Sequence, residues 1–276
     1  MRDTGNGRLD PDQVEFFRSN GYVVGDDLLK PAAFAGLREH FERKLAALPA
    51  DERPEDMDVP HFTDPELFRW LLDPDVLDVA ESILGPDIAL FSAHFFCKPA
   101  GDGKGVPWHT DAWFWRETID PPEQAITIWL AIDPSTAENG NMVVIPGSHR
   151  QRADGPYREV RSEESVFTWE LDVSKMPVDT ERAVPIPLRP NQFSIHSGGL
   201  LHSSAVNRST IRRCGFTMRY MSTAVRFNHE GVGRKHQIFL ARGRDRAGNV
   251  YAQPWRAYPE LVDARGKGQR VVTADR

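Results

Sequence analysis

His109 and Asp111 lie two residues apart in the segment Trp108-His109-Thr110-Asp111. On extended backbone, side chains two residues apart point to the same side, so this imidazole and this carboxylate could bind one metal ion. A second histidine would complete a 2-His-1-carboxylate facial triad, which leaves adjacent positions on iron(II) open for a cosubstrate and dioxygen. His-x-Asp alone is a weak signal. The alternative is that the two side chains hydrogen-bond each other or the loop backbone.

Two histidines further along the chain are candidates for the third ligand, and both lie in the segment 193–204. His202 is preferred because a turn at Asn207-Arg208-Ser209 follows it, and after the turn Arg213 leads into the apolar run 214–222. His196 is predicted to be a hydrogen-bonded histidine that supports the site or the core.

Alternation along 213–220 predicts a strand with two different faces. One face is apolar, and the other carries Arg213, Gly215, Thr217 and Arg219. Because a guanidinium fork matches a carboxylate bidentately, Arg213 is predicted to bind the carboxylate of a cosubstrate. The alternative for Arg213 is a surface ion pair.

The metal pair is followed by an aromatic cluster at Trp113, Phe114 and Trp115. Trp113 and Trp115 could face a substrate ammonium group by cation-π attraction, and Arg219 could bind a substrate anion. A small zwitterion would satisfy both. The alternatives are core packing for the tryptophans and a buried structural ion pair for Arg219.

The rest of the chain supplies helices first and strands afterwards. Apolar spacing and caps predict helices near 10–21, 32–48 and 74–84, and the loop between the last two is rich in Pro, Asp and Glu. Strands are predicted at 22–24, 88–98, 125–132, 142–145, 184–188, 192–196 and 214–222. This order favours a β-sandwich or barrel backed by helices. The polar segment 151–182 is predicted to be a lid.

We expect one domain over 1–276, with a helical N-terminal part at about 1–86, a catalytic β core at about 87–225 and a C-terminal extension at about 226–276. The formal net charge of -6, without a dense basic cluster, argues against a nucleic-acid partner. No window approaches the roughly 18 apolar residues of a membrane span, so no membrane partner and a cytoplasmic location are expected. Cys97 and Cys214 are expected to be buried thiols. Nothing in the sequence predicts the oligomeric state.

Several motifs together closely resemble the phytanoyl-CoA dioxygenase family of iron(II)- and 2-oxoglutarate-dependent oxygenases. They are Gln13 to Phe17 with Gly21 to Val24, Lys98-Pro99, Pro107 to Asp111, Trp129 to Asp133, Glu138 to Gly140, Ile145 to His149, and Gly198 to Ser204 with Asn207 to Ser209 and Arg213. In the family, the arginine that holds 2-oxoglutarate follows the distal histidine by eleven residues, as Arg213 follows His202.

The resemblance implies a mainly β fold with flanking α-helices, the double-stranded β-helix (a jelly-roll, cupin-like fold). It implies Fe(II) as cofactor, 2-oxoglutarate as cosubstrate and O2 as oxidant. The catalytic metal ligands would be His109, Asp111 and His202. Arg213, helped by Ser204, would bind the C5 carboxylate of 2-oxoglutarate, and Trp129 would flank it.

The reaction implied is hydroxylation of an unactivated C-H bond in a small molecule, for example an amino acid, an aminophosphonate or a natural-product intermediate. Asp111 favours hydroxylation over halogenation, because related halogenases carry a small residue there so that chloride can occupy the vacated position. Thr110 stands where many relatives carry Gln, a difference predicted to change contacts with substrate.

Two other classes stay open. A zinc or manganese cupin-like enzyme without oxygenase chemistry could use the same three ligands, although it would not need Arg213. A 2-oxoglutarate-binding sensor could keep the fold without turnover, and the formation of succinate would distinguish an enzyme from such a sensor.

Overall fold

The computed structural model describes residues 8–151, 155–176, 179–229 and 236–263. Its helices are α1 (Pro11–Asn20), α2 (Pro31–Ala46), α3 (Phe68–Leu71), α4 (Pro74–Leu84) and α5 (Asp111–Trp115). The sequence dictates α1 closely: Asp10 and Gln13 form a capping box, and Gly21 ends the helix with a left-handed φ of 80°. The three predicted long helices are confirmed, with ends shifted by up to two residues.

Two antiparallel sheets of six and four strands and two separate two-stranded sheets form the described β structure. Its strands are β1 (Tyr22–Asp27), β2 (Ile88–Lys98), β3 (Val106–His109), β4 (Ile119–Asp120), β5 (Ala125–Ala131), β6 (Met142–Val144), β7 (Tyr157–Glu159), β8 (Trp169–Leu171), β9 (Val184–Ile186), β10 (Gln192–Ser197), β11 (His202–Ser204), β12 (Arg213–Ser222), β13 (Arg226–Phe227) and β14 (Phe239–Arg242). The larger sheet has the order β1-β10-β5-β12-β2-β14, and the smaller has the order β3-β11-β6-β9. The predicted mainly β fold with flanking helices is confirmed.

The larger sheet draws strands from all parts of the chain. Its edge strand β1 lies within the N-terminal part that was expected to be helical, and its other edge, β14, lies in the expected C-terminal extension. Both pair with core strands in antiparallel register. Backbone hydrogen bonding therefore joins the three sequence segments, a connection that local patterns could not reveal.

β12 divides the interior of the protein into an apolar and a polar region. Cys214, Phe216, Met218 and Tyr220 belong to the main hydrophobic core, in which the α2 residue Phe41 contacts Phe95, and Phe95 in turn stacks on Phe216. The alternate residues of β12 face the smaller sheet. At Gly215 a Cβ atom would come within 2.0 Å of the Trp129 ring, so this close approach of strand and indole requires glycine.

The two cysteines lie directly opposite each other on β12 and β2, and both are buried and free. The expectation of buried thiols is confirmed. Burial raises the pKa of the Cys214 thiol well above its usual value, which keeps the thiol protonated and unreactive.

Candidate metal centre

The turn from β3 into α5 positions the first two candidate ligands. β3 ends at His109, and Thr110 keeps an extended backbone with φ -113° and ψ 141°. The Thr110 hydroxyl then accepts a hydrogen bond from the Trp113 amide and so caps α5, which begins at Asp111. The expectation that both residues lie on a strand was therefore wrong for Asp111. Their side chains still converge, because the intervening residue is extended, and His109 Nε2 lies 3.7 Å from Asp111 Oδ1.

The third candidate ligand comes from the neighbouring strand. On β11, His202 is the antiparallel register partner of His109, and the two ring centroids are 4.1 Å apart. One ligand atom from each of His109, Asp111 and His202 can be chosen so that all lie within 4.8 Å of one another. Within the part of the chain that the structure describes, this is the one group of three such residues.

Hydrogen bonds to backbone carbonyls fix which nitrogen each histidine presents. His109 Nδ1 lies 2.8 Å from the carbonyl oxygen of Pro107, and His202 Nδ1 lies 2.9 Å from that of Leu200. If each Nδ1 carries the proton and donates it, each Nε2 keeps a free lone pair for a metal. Burial, reinforced by the charge of His109, lowers the pKa of His202 well below its usual value, so its imidazole stays neutral.

Asp111 is a buried carboxylate whose two oxygens have different surroundings. Its Oδ2 accepts a hydrogen bond of 2.8 Å from the Thr127 hydroxyl and lies 3.3 Å from His196 Nε2. Burial alone would raise the pKa of Asp111, but the nearby His109 and His196 and the charge of Arg219 hold it well below its usual value. The carboxylate is therefore ionised, and Oδ1 is the oxygen that faces His109.

These three residues open onto a cavity between the sheets. It is lined by Phe96, Val106, His109, Asp111, Thr127, Trp129, Met142, Phe167, His196, His202, Ser203, Ser204, Arg213, Thr217 and Arg219. The structure thus brings the candidate ligands together with Arg213, Ser204, Trp129 and Arg219, as the sequence analysis had grouped them.

Arg213 is buried in this cavity without a protein counterion. Its guanidinium lies 4.9 Å from the Trp129 ring centroid, and its Nε has no hydrogen-bond partner. Burial lowers the pKa of Arg213 to about 10, which leaves it charged at neutral pH. None of the carboxylates in the described ranges forms an ion pair with it. A buried unpaired cation is costly, so the position suits an anionic ligand.

Lys98 belongs to one of the motifs of the sequence analysis, but no role was predicted for it. It is the register partner of Arg213, is 2% exposed, and its Nζ donates 2.7 Å to the Ser204 hydroxyl oxygen. Burial, followed by the charge of Arg213, lowers the pKa of Lys98 to about 6. A lysine that closes an otherwise apolar strand was the available signal. Arg213, Lys98 and Ser204 together suit a carboxylate.

Three predicted substrate residues lie outside the cavity lining. Thr110 caps α5, as described above. The Trp113 ring stacks on Tyr157 at a centroid distance of 3.8 Å, and the Arg116 guanidinium lies 4.1 Å from the same ring centroid. Trp115 packs edge-on against Phe91. The Trp113 ring thus contacts both Tyr157 and Arg116, and its contact with a substrate ammonium group stays a prediction.

Part of the predicted lid, 151–182, folds over the candidate ligands. Residues 152–154 and 177–178 of that segment lie outside the described residues. Strands β7 and β8 form a hairpin, and Phe167, which lies between them, lines the cavity and contacts the His109 ring edge-to-face at 4.9 Å. Neither Phe167 nor Tyr157 had been identified from the sequence, because polar loop residues around them mask their role.

Comparison with known proteins places the chain in a family. The family profile described as phytanoyl-CoA dioxygenase (PhyH) matches residues 17–215. The chain belongs to this family. Over 251 residues it is 28% identical to an ectoine dioxygenase from Sphingopyxis alaskensis, covering 83% of this chain and 82% of that protein. Over 163 residues it is 25% identical to a phytanoyl-CoA dioxygenase domain-containing protein 1 homolog from Caenorhabditis elegans, covering 58% and 56% of the two chains. The chain spans about half the length of several curated relatives that it matches.

Solved structures of PhyH relatives and other oxygenases share the fold. The apo form of the non-heme monooxygenase ThoJ superposes with a TM-score of 0.71 at 25% identity, covering 89% of each chain. The ectoine dioxygenase EctD from S. alaskensis with 2-oxoglutarate and 5-hydroxyectoine gives a TM-score of 0.63 at 21% identity, covering 83% of this chain and 81% of that chain. The predicted jelly-roll architecture and family are confirmed, and solved structures of the ectoine dioxygenase EctD contain 2-oxoglutarate in one case and iron in another. In the described ranges, every helix is too short or too polar to cross a membrane.

Proposed function

We propose that this protein is an Fe(II)- and 2-oxoglutarate-dependent dioxygenase that hydroxylates an unactivated C-H bond of a small molecule. The observation that carries the proposal is the pairing of two features in one cavity: the ligand group His109, Asp111 and His202, and the buried, unpaired Arg213. A zinc or manganese enzyme of other chemistry would have no use for the second feature.

The donor set fits iron(II). Two neutral imidazoles and one carboxylate form the facial arrangement typical of oxygenases that leave the remaining positions to ligands and dioxygen. When bound there together, iron and 2-oxoglutarate supply the activation of dioxygen. Asp111 contributes the carboxylate that a halogenase lacks, which supports hydroxylation.

The other residues of the cavity would bind 2-oxoglutarate and exclude water. Arg213 would hold the C5 carboxylate of 2-oxoglutarate by a charge-assisted fork, with the Ser204 hydroxyl and Lys98 beside it. Trp129 lies under the Arg213 guanidinium and restricts where the cosubstrate chain can lie. Phe167 covers His109 and excludes water, which is the part that the predicted lid would contribute.

The substrate is proposed as a small organic molecule, the coarse class to which the relatives' names point. A zwitterion required both an anion site and an ammonium site. Tyr157 and Arg116 contact the Trp113 ring, so the ammonium site stays a prediction, whereas Arg219 lines the cavity and supports the anion site. The proposed substrates are an amino acid, an aminophosphonate or a natural-product intermediate, bound through an anionic group. A cytoplasmic location stays a prediction from the sequence.

The test is anaerobic visible absorption of the purified protein after iron(II) and then 2-oxoglutarate are added. We expect the weak metal-to-ligand charge-transfer band of a bidentate keto-acid chelate. His202→Ala should abolish the band by preventing iron binding, whereas Arg213→Gln should bind iron and require much more 2-oxoglutarate. Iron bound to the wild type without any band would refute the proposal. Formation of succinate in air then separates an enzyme from a sensor.

A further inference from the structure

Arg219 is a second buried arginine on the inward face of β12. It follows Arg213 by six residues, so at about 3.3 Å per residue their backbone positions are about 20 Å apart. In the sheet, Arg219 lies opposite Thr127 of β5 and Ser92 of β2. Thr127 is the residue that donates to Asp111. Arg219 therefore adjoins the candidate ligand group, whereas Arg213 extends over Trp129, two residues further along β5.

Among the described residues, no side chain forms an ion pair or a short hydrogen bond with Arg219. Its Nε is buried without a hydrogen-bond partner, and its guanidinium reaches the Ser92 hydroxyl at 3.5 Å, the long limit for a hydrogen bond. Across the residues that the structure describes, no carboxylate forms an ion pair with it. Asp111 is a carboxylate of the same cavity, but its Oδ2 is already engaged by Thr127 and His196. The contacts therefore do not support the alternative that Arg219 forms a buried structural ion pair.

Other partly buried arginines of this protein are fully engaged, which makes Arg219 unusual. Arg212, which immediately precedes β12, donates to both Asp133 and Glu42. Arg242 donates to Asp78 and Glu81. Arg213 shares the lack of a counterion, and the proposed function supplies one for it in 2-oxoglutarate. Arg219 has no such explanation so far.

Aromatic rings hold the Arg219 guanidinium in place. Its central carbon lies 5.8 Å from the ring centroids of both Phe96 and Trp115. Rings of this kind stabilise a cation without satisfying its hydrogen-bond donors. They also exclude water, so a carboxylate reaching the fork would gain charge-assisted hydrogen bonds in a dry environment.

We propose that Arg219 binds a carboxylate of the primary substrate, and that the substrates of this protein are therefore carboxylic acids. This inference rests on the proposed function. The site places the substrate carboxylate beside the metal ligands at the end of the cavity that Arg213 does not occupy, and the reacting C-H bond lies near that carboxylate in the substrate. The same carboxylate chemistry could instead come from the C1 carboxylate of 2-oxoglutarate, which the experiment distinguishes.

The first measurement is the thermal unfolding of the metal-free protein. Removing an unpaired buried charge should leave Tm unchanged or raise it in Arg219→Gln, because no native partner is lost. A fall in Tm of several degrees, or failure of Arg219→Gln to fold while Arg219→Lys folds normally, would show a structural role and overturn the proposal. Arg43→Gln, at an exposed position of α2, serves as the control for general effects of losing an arginine.

The second measurement uses acetate as the probe and acetamide as its neutral match. With iron and saturating 2-oxoglutarate under anaerobic conditions, Arg213 is occupied and Arg219 is the remaining buried cation of the cavity lining. Acetate should shift the charge-transfer band of the wild type and acetamide should not. The acetate affinity should fall at least about tenfold in Arg219→Gln and be partly restored in Arg219→Lys. An acetate response absent from the wild type, or equal in Arg219→Gln, overturns the proposal.

The third measurement identifies the source of the carboxylate and separates the two proposals. If Arg219→Gln weakens 2-oxoglutarate binding as strongly as Arg213→Gln does, Arg219 serves the cosubstrate and the inference is wrong. If the wild type shows no band at all, the proposed function fails, and the inference is still tested by the metal-free protein. In Arg213→Gln, acetate should then raise Tm more than acetamide does, and adding Arg219→Gln should abolish that difference. Equal Tm responses would refute it.

Discussion

The hydrogen bond from Thr127 to Asp111 offers a sharp test of how the candidate site is held. We expect Thr127→Val, which removes the hydroxyl and keeps the shape, to weaken iron binding. The bond is 2.8 Å long, buried, and made to an ionised group, and such bonds contribute about 1.5 to 3 kcal/mol. His196 still restrains the same oxygen from 3.3 Å. The lower value of about 1.5 kcal/mol is therefore expected. It corresponds to a rise in the iron Kd of about tenfold, within the range of about 10- to 100-fold seen for groups that hydrogen-bond to metal ligands.

The assay is anaerobic iron binding in competition with a chelator, and the chain offers a matched control. Thr223 is likewise fully buried and donates 2.8 Å, but to the carbonyl oxygen of Arg244, away from the site. Thr223→Val should lower the free energy of unfolding by about 1 kcal/mol and leave the iron Kd unchanged. Thr127→Ser should restore the wild-type Kd. An unchanged Kd in Thr127→Val, or the same rise in both valine variants, would refute the positioning role of Thr127.

Three further predictions concern the cosubstrate, the cover and a surface network. Arg213→Gln should raise the 2-oxoglutarate Kd at least about tenfold with the iron Kd unchanged, measured by anaerobic titration; equal loss of iron would contradict it. Phe167→Ala should uncover His109 and increase succinate formation without substrate while lowering Tm by a few degrees. An unchanged rate of succinate formation without substrate would argue against a covering role for Phe167. Burial would raise the pKa of Asp64, but hydrogen bonds from His40 and Lys44 lower it to about 2. The stability that Asp64 contributes, about 1 to 2 kcal/mol, is thus present above its unfolded value of 3.8 and is lost as the pH falls towards 2. Unfolding curves of wild type and Asp64→Asn should therefore converge in acid, and a constant difference would contradict this sign.

Several features of the candidate site could be predicted from local sequence. The convergence of His109 and Asp111 needs only one extended residue between them, which is a local property. Arg213, Thr217 and Arg219 share the inward face of β12 because alternate side chains of a strand point to the same side. The preference for His202 over His196 rested on the order of turn and strand that follows it, and the structure places His196 against Asp111 rather than in the group of three.

Predictions that depended on what covers a side chain fared differently. Trp113 was a plausible cation site by residue type, but whether an aromatic face is free depends on Tyr157 and Arg116, which the fold brings to it. No role was predicted for Lys98 because its importance comes from its register with Arg213 across β2 and β12. A short strand at the position of β1 was predicted, but neither its place at the edge of the larger sheet nor β14 was, since pairing partners distant in sequence leave no local signal.

The sequence alone determined which groups could form the site: two histidines, one carboxylate and an arginine on the inward face of a strand. Their spacing along the chain, together with the two-residue period of a strand, was enough to group them. Tertiary structure decided which of these charges are compensated. Arg212, just before β12, and Arg219, within β12, are the same residue type, yet Arg212 donates to Asp133 and Glu42 while Arg219 lies against two aromatic rings. The reason is physical: strand alternation fixes the face of each side chain, but the groups opposite that face are supplied by other segments through register and sheet packing.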